Sequence, residues 1–404
     1  MKTICWNPVT GGALAAGLLL VAALLFPAPA PAVDATVHGL LDLVATGNVD
    51  EETILLNSLY RGDTAFDAYR LRVFADAAVT DRIQVHTQFL LAETSGTRAF
   101  GAYVTADPWA GRDIHLVAGE MPWLIGSFDP RSYSDKNPLI GHPMMYQYHT
   151  SLRPDQVVPD ADALLEQAGA GNEGVNYDLA GRSARGMPII YDQWWDFGAG
   201  VTGSMRPMEF AIGWTNGTPS YTEPARDENG GKSILGRLGV APTAGSRFGI
   251  SGAYGPYLSS EPAGTLPAGS HAGDYNQVLV MADAEWSVAH MTLRSEGYRN
   301  TWQTPTVGDL RVGGFYVEGT YTLPAGFYVA GRYEIMRFSD LTDSTGTVRP
   351  WDTNWDRREA GVGYRITRGA VAKIAYQSNL EIASEPGEEN ERYDLVAGQL
   401  SIRF

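Results

Sequence analysis

The feature that most constrains this chain is a two-residue alternation of apolar and polar side chains, weak in any one stretch but repeated from end to end. In Phe327-Tyr328-Val329-Ala330-Gly331-Arg332-Tyr333-Glu334-Ile335 the odd positions are apolar, aromatic or glycine, while Arg332 and Glu334 share the other face. Val362, Tyr364 and Ile366 alternate in the same way with Arg357, Glu359 and Arg365. A period of two is the period of a β-strand with two different environments on its faces. Sixteen segments carry it, among them 35–46, 67–78, 82–92, 190–205, 274–287, 327–338, 354–367 and 390–404. Charges recurring on one face of so many strands fit a sheet with hydrocarbon outside and water inside. The expected fold is therefore all-β, a transmembrane antiparallel barrel of about 16 strands.

The connections support the same count, because they alternate between short and long. Seven are short, such as Val79-Thr80-Asp81, Ala110-Gly111-Arg112, Pro324-Ala325-Gly326 and Arg368-Gly369, and several contain the Gly or Pro that tight turns require. Eight are long, centred near Asp50, Ser95, Arg153, Asp227, Pro262, Pro305, Gly346 and Gly387. Eight long loops and seven short turns match sixteen strands with both termini on the periplasmic side.

The segment before the first strand is read as a signal peptide. Lys2 precedes the small and apolar run Ala13 to Phe26, which is too short to span a bilayer as a helix. Within Pro27-Ala28-Pro29-Ala30-Pro31-Ala32-Val33, only the bond after Ala32 has alanine at the last and third-last positions and a residue other than proline following. The expected organisation is residues 1–32 as signal peptide and 33–404 as one barrel with a long loop at about 123–187. Cleavage there removes Lys2 and Cys5, leaving no cysteine and a formal charge of 29 − 46 = −17. Disulfides and thiolate chemistry are then excluded, and the acidity argues against a nucleic-acid partner.

Leu400-Ser401-Ile402-Arg403-Phe404 closes the chain, with Val396, Gly398, Leu400, Ile402 and Phe404 expected to face lipid, and Ala397, Gln399, Ser401 and Arg403 the lumen. A terminal aromatic on an alternating last strand resembles the signature of bacterial outer-membrane barrels. The whole pattern resembles the porin superfamily, and within it the phosphate-selective porin O and P group, although no family binding motif can be matched residue by residue. What the resemblance implies is passive diffusion of small hydrophilic solutes or ions across an outer membrane, no enzymatic activity, and a homotrimer. The partners implied are outer-membrane lipids and small polar solutes or ions, and the localisation is the bacterial outer membrane. About 16 strands leave an aqueous lumen where about 8 are filled by their own side chains.

Strand parity places equal numbers of basic and acidic residues on the lumen face, which leaves ion selectivity open. Arg70, Arg72, Arg294, Arg332, Glu334, Arg357, Glu359 and Arg365 are the wall candidates for a pore lining or constriction. Asp129, Arg131 and Arg153 are the candidates from the long third connection, expected to face Arg332, Arg357 and Arg365 across water. Adjacent opposite charges such as Arg332 and Glu334 also fit a ladder that satisfies the wall. The connection exceeds what a structureless loop normally spans, and Pro138-Leu139-Ile140 with Pro143-Met144-Met145-Tyr146 would be poorly placed in water. By position it resembles the third loop of general porins, which folds into the barrel; its length equally fits an external lid. Asp160 to Ala168 is expected to form a short helix, capped by Asp160 and stopped at Gly169.

Trp109, Trp123, Trp214, Tyr257, Trp286, Trp302, Tyr321 and Phe327 lie near strand ends, where interfacial girdles are expected, though core packing would also place aromatics there. Seven scattered histidines form no metal-spaced pair, and neither a hydrolase Gly-x-Ser-x-Gly motif nor a cofactor motif is present. Two rival readings stay open, an outer-membrane enzyme or adhesin working through loop 123–187 and a soluble all-β binding protein.

Overall fold

A computed structural model describes residues 34–404 apart from 48–67, 93–95, 178–180, 182, 192–194, 224–226, 228, 261, 263 and 386. The expected signal peptide lies outside the described residues. The first half of the chain contributes β1 (Asp34–Gly47), β2 (Ala68–Thr80), β3 (Ile83–Ala92), β4 (Gly96–Ala106), β5 (Ile114–Met121), β6 (Asp196–Met205), β7 (Met208–Thr215) and β8 (Ser233–Thr243). The second half contributes β9 (Ser246–Pro256), β10 (Asn276–Val288), β11 (Met291–Thr304), β12 (Gly308–Thr322), β13 (Phe327–Phe338), β16 (Asn354–Thr367), β17 (Ala370–Ile382) and β18 (Glu391–Arg403). These sixteen pair antiparallel in chain order, and β1 also pairs with β18, so the sheet closes into a barrel without an edge. A two-stranded hairpin, β14 (Asp340–Thr342) with β15 (Val348–Pro350), stands in the connection around Gly346 and has no counterpart in the alternation pattern.

Register and burial assign the two faces. The lumen row that begins at Asp42 passes Arg70 on one side and Ser401 on the other, all buried, whereas Leu43 and Tyr69 in the next row are exposed. On β13, Tyr328, Arg332, Glu334 and Met336 are buried, while Phe327, Val329 and Tyr333 are exposed. Exposed apolar side chains run around the outside, including Ile212, Leu238, Ile250, Val280, Val317, Val362 and Ile374, which is the surface a hydrocarbon layer requires. No helix among the described residues is long and apolar enough to cross a membrane; the crossing elements are strands. Phe404 lies outward over Gly39, which a Cβ would bring within 2.5 Å of its ring, and the two residues exchange backbone hydrogen bonds at 2.7 and 3.0 Å.

Three differences from the alternation pattern have physical causes. The segment expected at 190–205 becomes strand only at Asp196, because Ile189 and Ile190 are buried with the connection that precedes it. Bulges between Ala78 and Thr80, Val240 and Thr243, and Arg365 and Thr367 shift register at strand ends, where an unpaired residue is accommodated. Among the aromatics, Trp109, Trp214, Trp286, Tyr321 and Phe327 are exposed, as an interfacial girdle requires, but Trp123, Tyr257 and Trp302 are buried inside. Trp302 packs edge-on against Trp351 at 5.9 Å, and Trp351 against Phe338 at 4.9 Å.

Candidate functional site

Between β5 and β6 the chain leaves the wall and enters the lumen, where its described residues touch strands on several sides of the barrel. The path is fixed step by step by contacts to different strands. Leu124 lies against β6 and β7, where a Cβ on Gly200 or Gly213 would come within 2.6 and 3.0 Å of its Cδ1; the wall is cut back to glycine to admit it. Gly126 donates its N–H to Ser251 on β9 at 3.0 Å, and its φ of +66° is one that a side chain would strain. Ser127 donates both its backbone N–H and its hydroxyl to Glu296 on β11.

A single 3-10 turn, Asp129–Arg131, then projects Arg131 back at the wall. Its guanidinium donates to Glu318 at 3.0 Å and to the Tyr316 hydroxyl at 2.9 Å while lying 5.1 Å from the Phe128 ring centre. The chain next crosses to the opposite wall. Tyr133 donates to Gln88 on β3 at 2.9 Å, Ser134 to Asp42 on β1, and Asp135 accepts from Nε and Nη2 of Arg403 at 2.8 and 2.9 Å.

Residues 134–144 form the most tightly held part. The Lys373 ammonium on β17 donates to three carbonyls of the connection, those of Ser134, Asn137 and Leu139, at 2.7, 3.0 and 3.1 Å. Leu139 and Ile140 pack with Val44, Tyr328, Ala375 and Leu395 of the wall. Arg332 donates to the Gly141 carbonyl at 2.6 Å, and Met144 donates its N–H to Glu334 at 2.6 Å. The apolar stretches conspicuous in the sequence are thus buried on the barrel's inner wall.

Above this, Asp352, in the connection between β15 and β16, gathers Tyr148, Ser151 and Gly169. It accepts from the Tyr148 hydroxyl at 2.7 Å, from the Ser151 N–H and hydroxyl at 2.7 and 2.9 Å, and from the Gly169 N–H at 2.9 Å. Burial pushes the Asp352 carboxyl above its ordinary range, against the hydrogen bonds that lower it, and holds the Tyr148 phenol well above its own. The expected helix is present at Ala161–Glu166, with the Asp160 side chain accepting from the Ala163 N–H at 2.9 Å. Gly169, at φ +81°, follows it.

The wall residues singled out from the sequence all point inward. Arg332 is ringed by Glu359 at 2.6 Å, Glu334 at 3.3 Å and Glu318 at 3.6 Å, and its side chain is fully buried. Arg357 donates to Asn379 at 2.7 Å and to the His142 carbonyl at 3.4 Å. Arg70 pairs with Asp42 at 3.3 Å, Arg294 with Glu285 at 2.7 Å, and Arg365 lies 5.6 Å from the Tyr328 ring centre. Arg72 sits between the Phe100 and Tyr133 rings at 5.2 and 5.0 Å.

Two juxtapositions expected from the sequence do not form. Arg332 and Arg357 do not face the connection across water but contact its carbonyls directly, because the apolar residues 138–146 bring the backbone down onto the wall. Arg153 turns away, pairing with Asp155 at 2.6 Å and donating to the Val175 carbonyl at 2.7 Å, so it ties the connection to itself. Asp42, Tyr316 and Asp352 hold the connection and were not among the candidates. Parity applied to β1 would have found Asp42, whereas Asp352 lies in a loop with no periodic signal.

Water-facing positions remain on the connection and on the wall nearer the short turns. Pro130 and Lys136 are exposed on the connection. Arg82, Gln84 and Arg247 are exposed on the inward face, with Glu209 and Glu285 partly so.

No family model matches the chain, and no curated protein matches it. Solved structures do. An in-vitro folded outer membrane protein of Vibrio cholerae, OmpT, superposes with a TM-score of 0.55 at 10% identity, covering 93% of this chain and 98% of that one. The fold is that of bacterial outer-membrane barrels. Salmonella typhi OmpF, solved in complex with daunomycin, gives 0.51 at 10% identity over 92% of this chain and 97% of its own. The outer membrane channel DcaP of Acinetobacter baumannii gives 0.51 at 8% identity with the same coverages. At these identities the likeness is one of fold alone, and it does not single out the phosphate-selective group.

Proposed function

We propose that this protein is an outer-membrane channel that lets small hydrophilic solutes or ions diffuse passively, with residues 122–195 setting its narrowest passage. The observation that carries this reading is the connection itself. A closed barrel of sixteen strands is wide enough for an aqueous lumen. Here the connection between β5 and β6 enters that lumen and its described residues are anchored to β1, β3, β9, β11, β12, β13, β16, β17 and β18, which narrows it. The inward arginines favour a channel with little preference for either sign over a phosphate-selective one. Arg70, Arg294 and Arg332 carry carboxylate partners, which offset their pull on an anion.

The pore-lining roles proposed for Arg70, Arg72, Asp129, Arg131, Arg294, Arg332, Glu334, Arg357, Glu359 and Arg365 are of two kinds. Those in contact with the connection, directly or through a paired side chain, hold it in place, whereas the exposed Arg365 and the half-buried Asp129 and Arg294 border the remaining water. Export through a signal peptide cleaved after Ala32 and assembly as a trimer complete the proposal; one of the Vibrio cholerae OmpT structures is itself titled as a trimer form. The test is reconstitution of the full mature chain into a planar bilayer under a salt gradient. Stepwise ohmic conductance with a small reversal potential supports the reading. Absence of any conductance from protein shown to be folded by heat-modifiable gel migration refutes it.

A further inference from the structure

The channel reading uses the inward charges; the outward face carries some too. Four arginines on neighbouring strands point away from the lumen: Arg299 on β11, Arg311 on β12, Arg337 on β13 and Arg358 on β16. A charge facing hydrocarbon is costly, so a group of them at one place calls for a partner. All four lie on the half of the barrel nearer the long connections, where an anionic headgroup layer would stand.

Their arrangement is specific. Arg299 and Arg337 occupy one cross-strand row with Gly313 between them, which sets their backbones about 10 Å apart with no side chain in the gap. A Cβ built on Gly313 would meet nothing nearer than the Tyr298 carbonyl at 3.4 Å, so the space above it is open. Outward acids neutralise only part of the group. Asp356 engages Arg337, whose guanidinium also donates to the Trp355 carbonyl at 2.7 Å and so lies toward β16, and Asp309 lies 3.4 Å from Arg311, whereas among the described residues Arg299 and Arg358 are exposed without an acidic partner.

The same row continues the other way through Val280 to Gly252 and Gly236. There the outer surface dips into an apolar groove of about 910 Å³, floored by these glycines and rimmed by Ile250, Tyr254 and Val280. We propose that this face binds an anionic, phosphorylated membrane lipid, its phosphate seated over Gly313 against Arg299 and an acyl chain lying in the groove. The fork of a guanidinium matches phosphate oxygens two at a time, and it does so most strongly where water is scarce. Charge and groove point to one amphiphile, because a free anion would use only the arginines and a neutral lipid only the groove.

The test is native mass spectrometry of the full mature protein released from detergent micelles. The probes are phosphatidic acid and phosphatidylcholine carrying the same acyl chains. The wild type should retain phosphatidic acid selectively. The variant Arg299→Gln with Arg358→Gln, which breaks no ion pair, should weaken that retention by about tenfold or more and leave phosphatidylcholine unchanged. Gly252→Phe, which fills the groove without touching a charge, should lower retention of both lipids. Unchanged phosphatidic acid binding in the arginine variant overturns the proposal, as does complete displacement by millimolar inorganic phosphate, which would make this a free-anion site. If the arginine variant differs only in being a smaller oligomer, the face is a contact between copies and the lipid reading fails. None of these outcomes depends on channel activity, so conductance and lipid binding fail or succeed separately.

Discussion

Replacing Lys373 with methionine should loosen the connection from the wall without unfolding the barrel. The ammonium is buried and donates to the carbonyls of Ser134, Asn137 and Leu139, at 2.7 to 3.1 Å. Methionine fills a similar volume but donates nothing, so three carbonyls lose their charged partner at once. A hydrogen bond to a charged group contributes roughly 1.5–3 kcal/mol, and an unsatisfied buried acceptor costs about 1–3 kcal/mol. Against this stands the cost of keeping an ammonium away from water, which methionine removes. Because the segment can also lift slightly and let water reach some of the carbonyls, a net loss of roughly 3 kcal/mol in docking is the expected scale.

That is about a 150-fold shift toward the undocked connection at 25 °C. In single-channel recordings the variant should show frequent transient steps to a higher conductance, rare in wild type, and the segment around Asn137 should become sensitive to added protease. Heat-modifiable migration of the variant should match wild type, because strands β16, β17 and β18 keep their backbone ladders. If Lys373→Met is folded, silent to protease and indistinguishable in conductance noise, the ammonium does not hold the connection and the reasoning fails.

Three further outcomes are expected. Deleting Asp135 to Gly174 should raise single-channel conductance and relax the size limit for uptake; a folded deletion with unchanged conductance would place the constriction on the wall. Ile374→Arg, on an exposed outward position in the middle of β17, should cost about 2–4 kcal/mol of folding into bilayers, whereas Gln84→Arg on the wet inward face should cost little. Equal folding yields of the two would invert the face assignment. For Asp352, whose carboxyl is held above its usual pKa by burial, the ionised form is disfavoured by folding, so its contribution is greatest at low pH and declines as pH rises through the unfolded and then the folded value. Protease resistance of the connection should therefore decline across that acidic window in wild type. In Asp352→Asn the decline should flatten; an identical pH profile in the variant would assign the dependence elsewhere.

How much of this was legible in the sequence follows from the range of the interactions involved. The alternation of Tyr328, Ala330, Arg332 and Glu334 against Val329, Gly331, Tyr333 and Ile335 is local. A strand with hydrocarbon on one face and a polar interior on the other must show it, so strand number, face assignment and closure were readable from residue order alone. The Asp160 cap was readable for the same reason, since it satisfies a backbone N–H three residues on. The hairpin of β14 and β15 was not, because segments of three residues carry too little period to notice.

What only the tertiary structure decided is where the long connection goes and what its charges do there. Its length and its stranded apolar residues required burial somewhere, yet the partners that bury them lie far off in sequence. Lys373 and Ser134 are 239 residues apart, and Met144 and Glu334 are 190. The same holds for Arg332 and Arg357, which the sequence marks as inward without revealing whether they meet water or protein. A residue's face is set by its neighbours along the strand. Its solvent is set by whatever folds over it, and in a closed barrel that is decided by chain from elsewhere in the sequence.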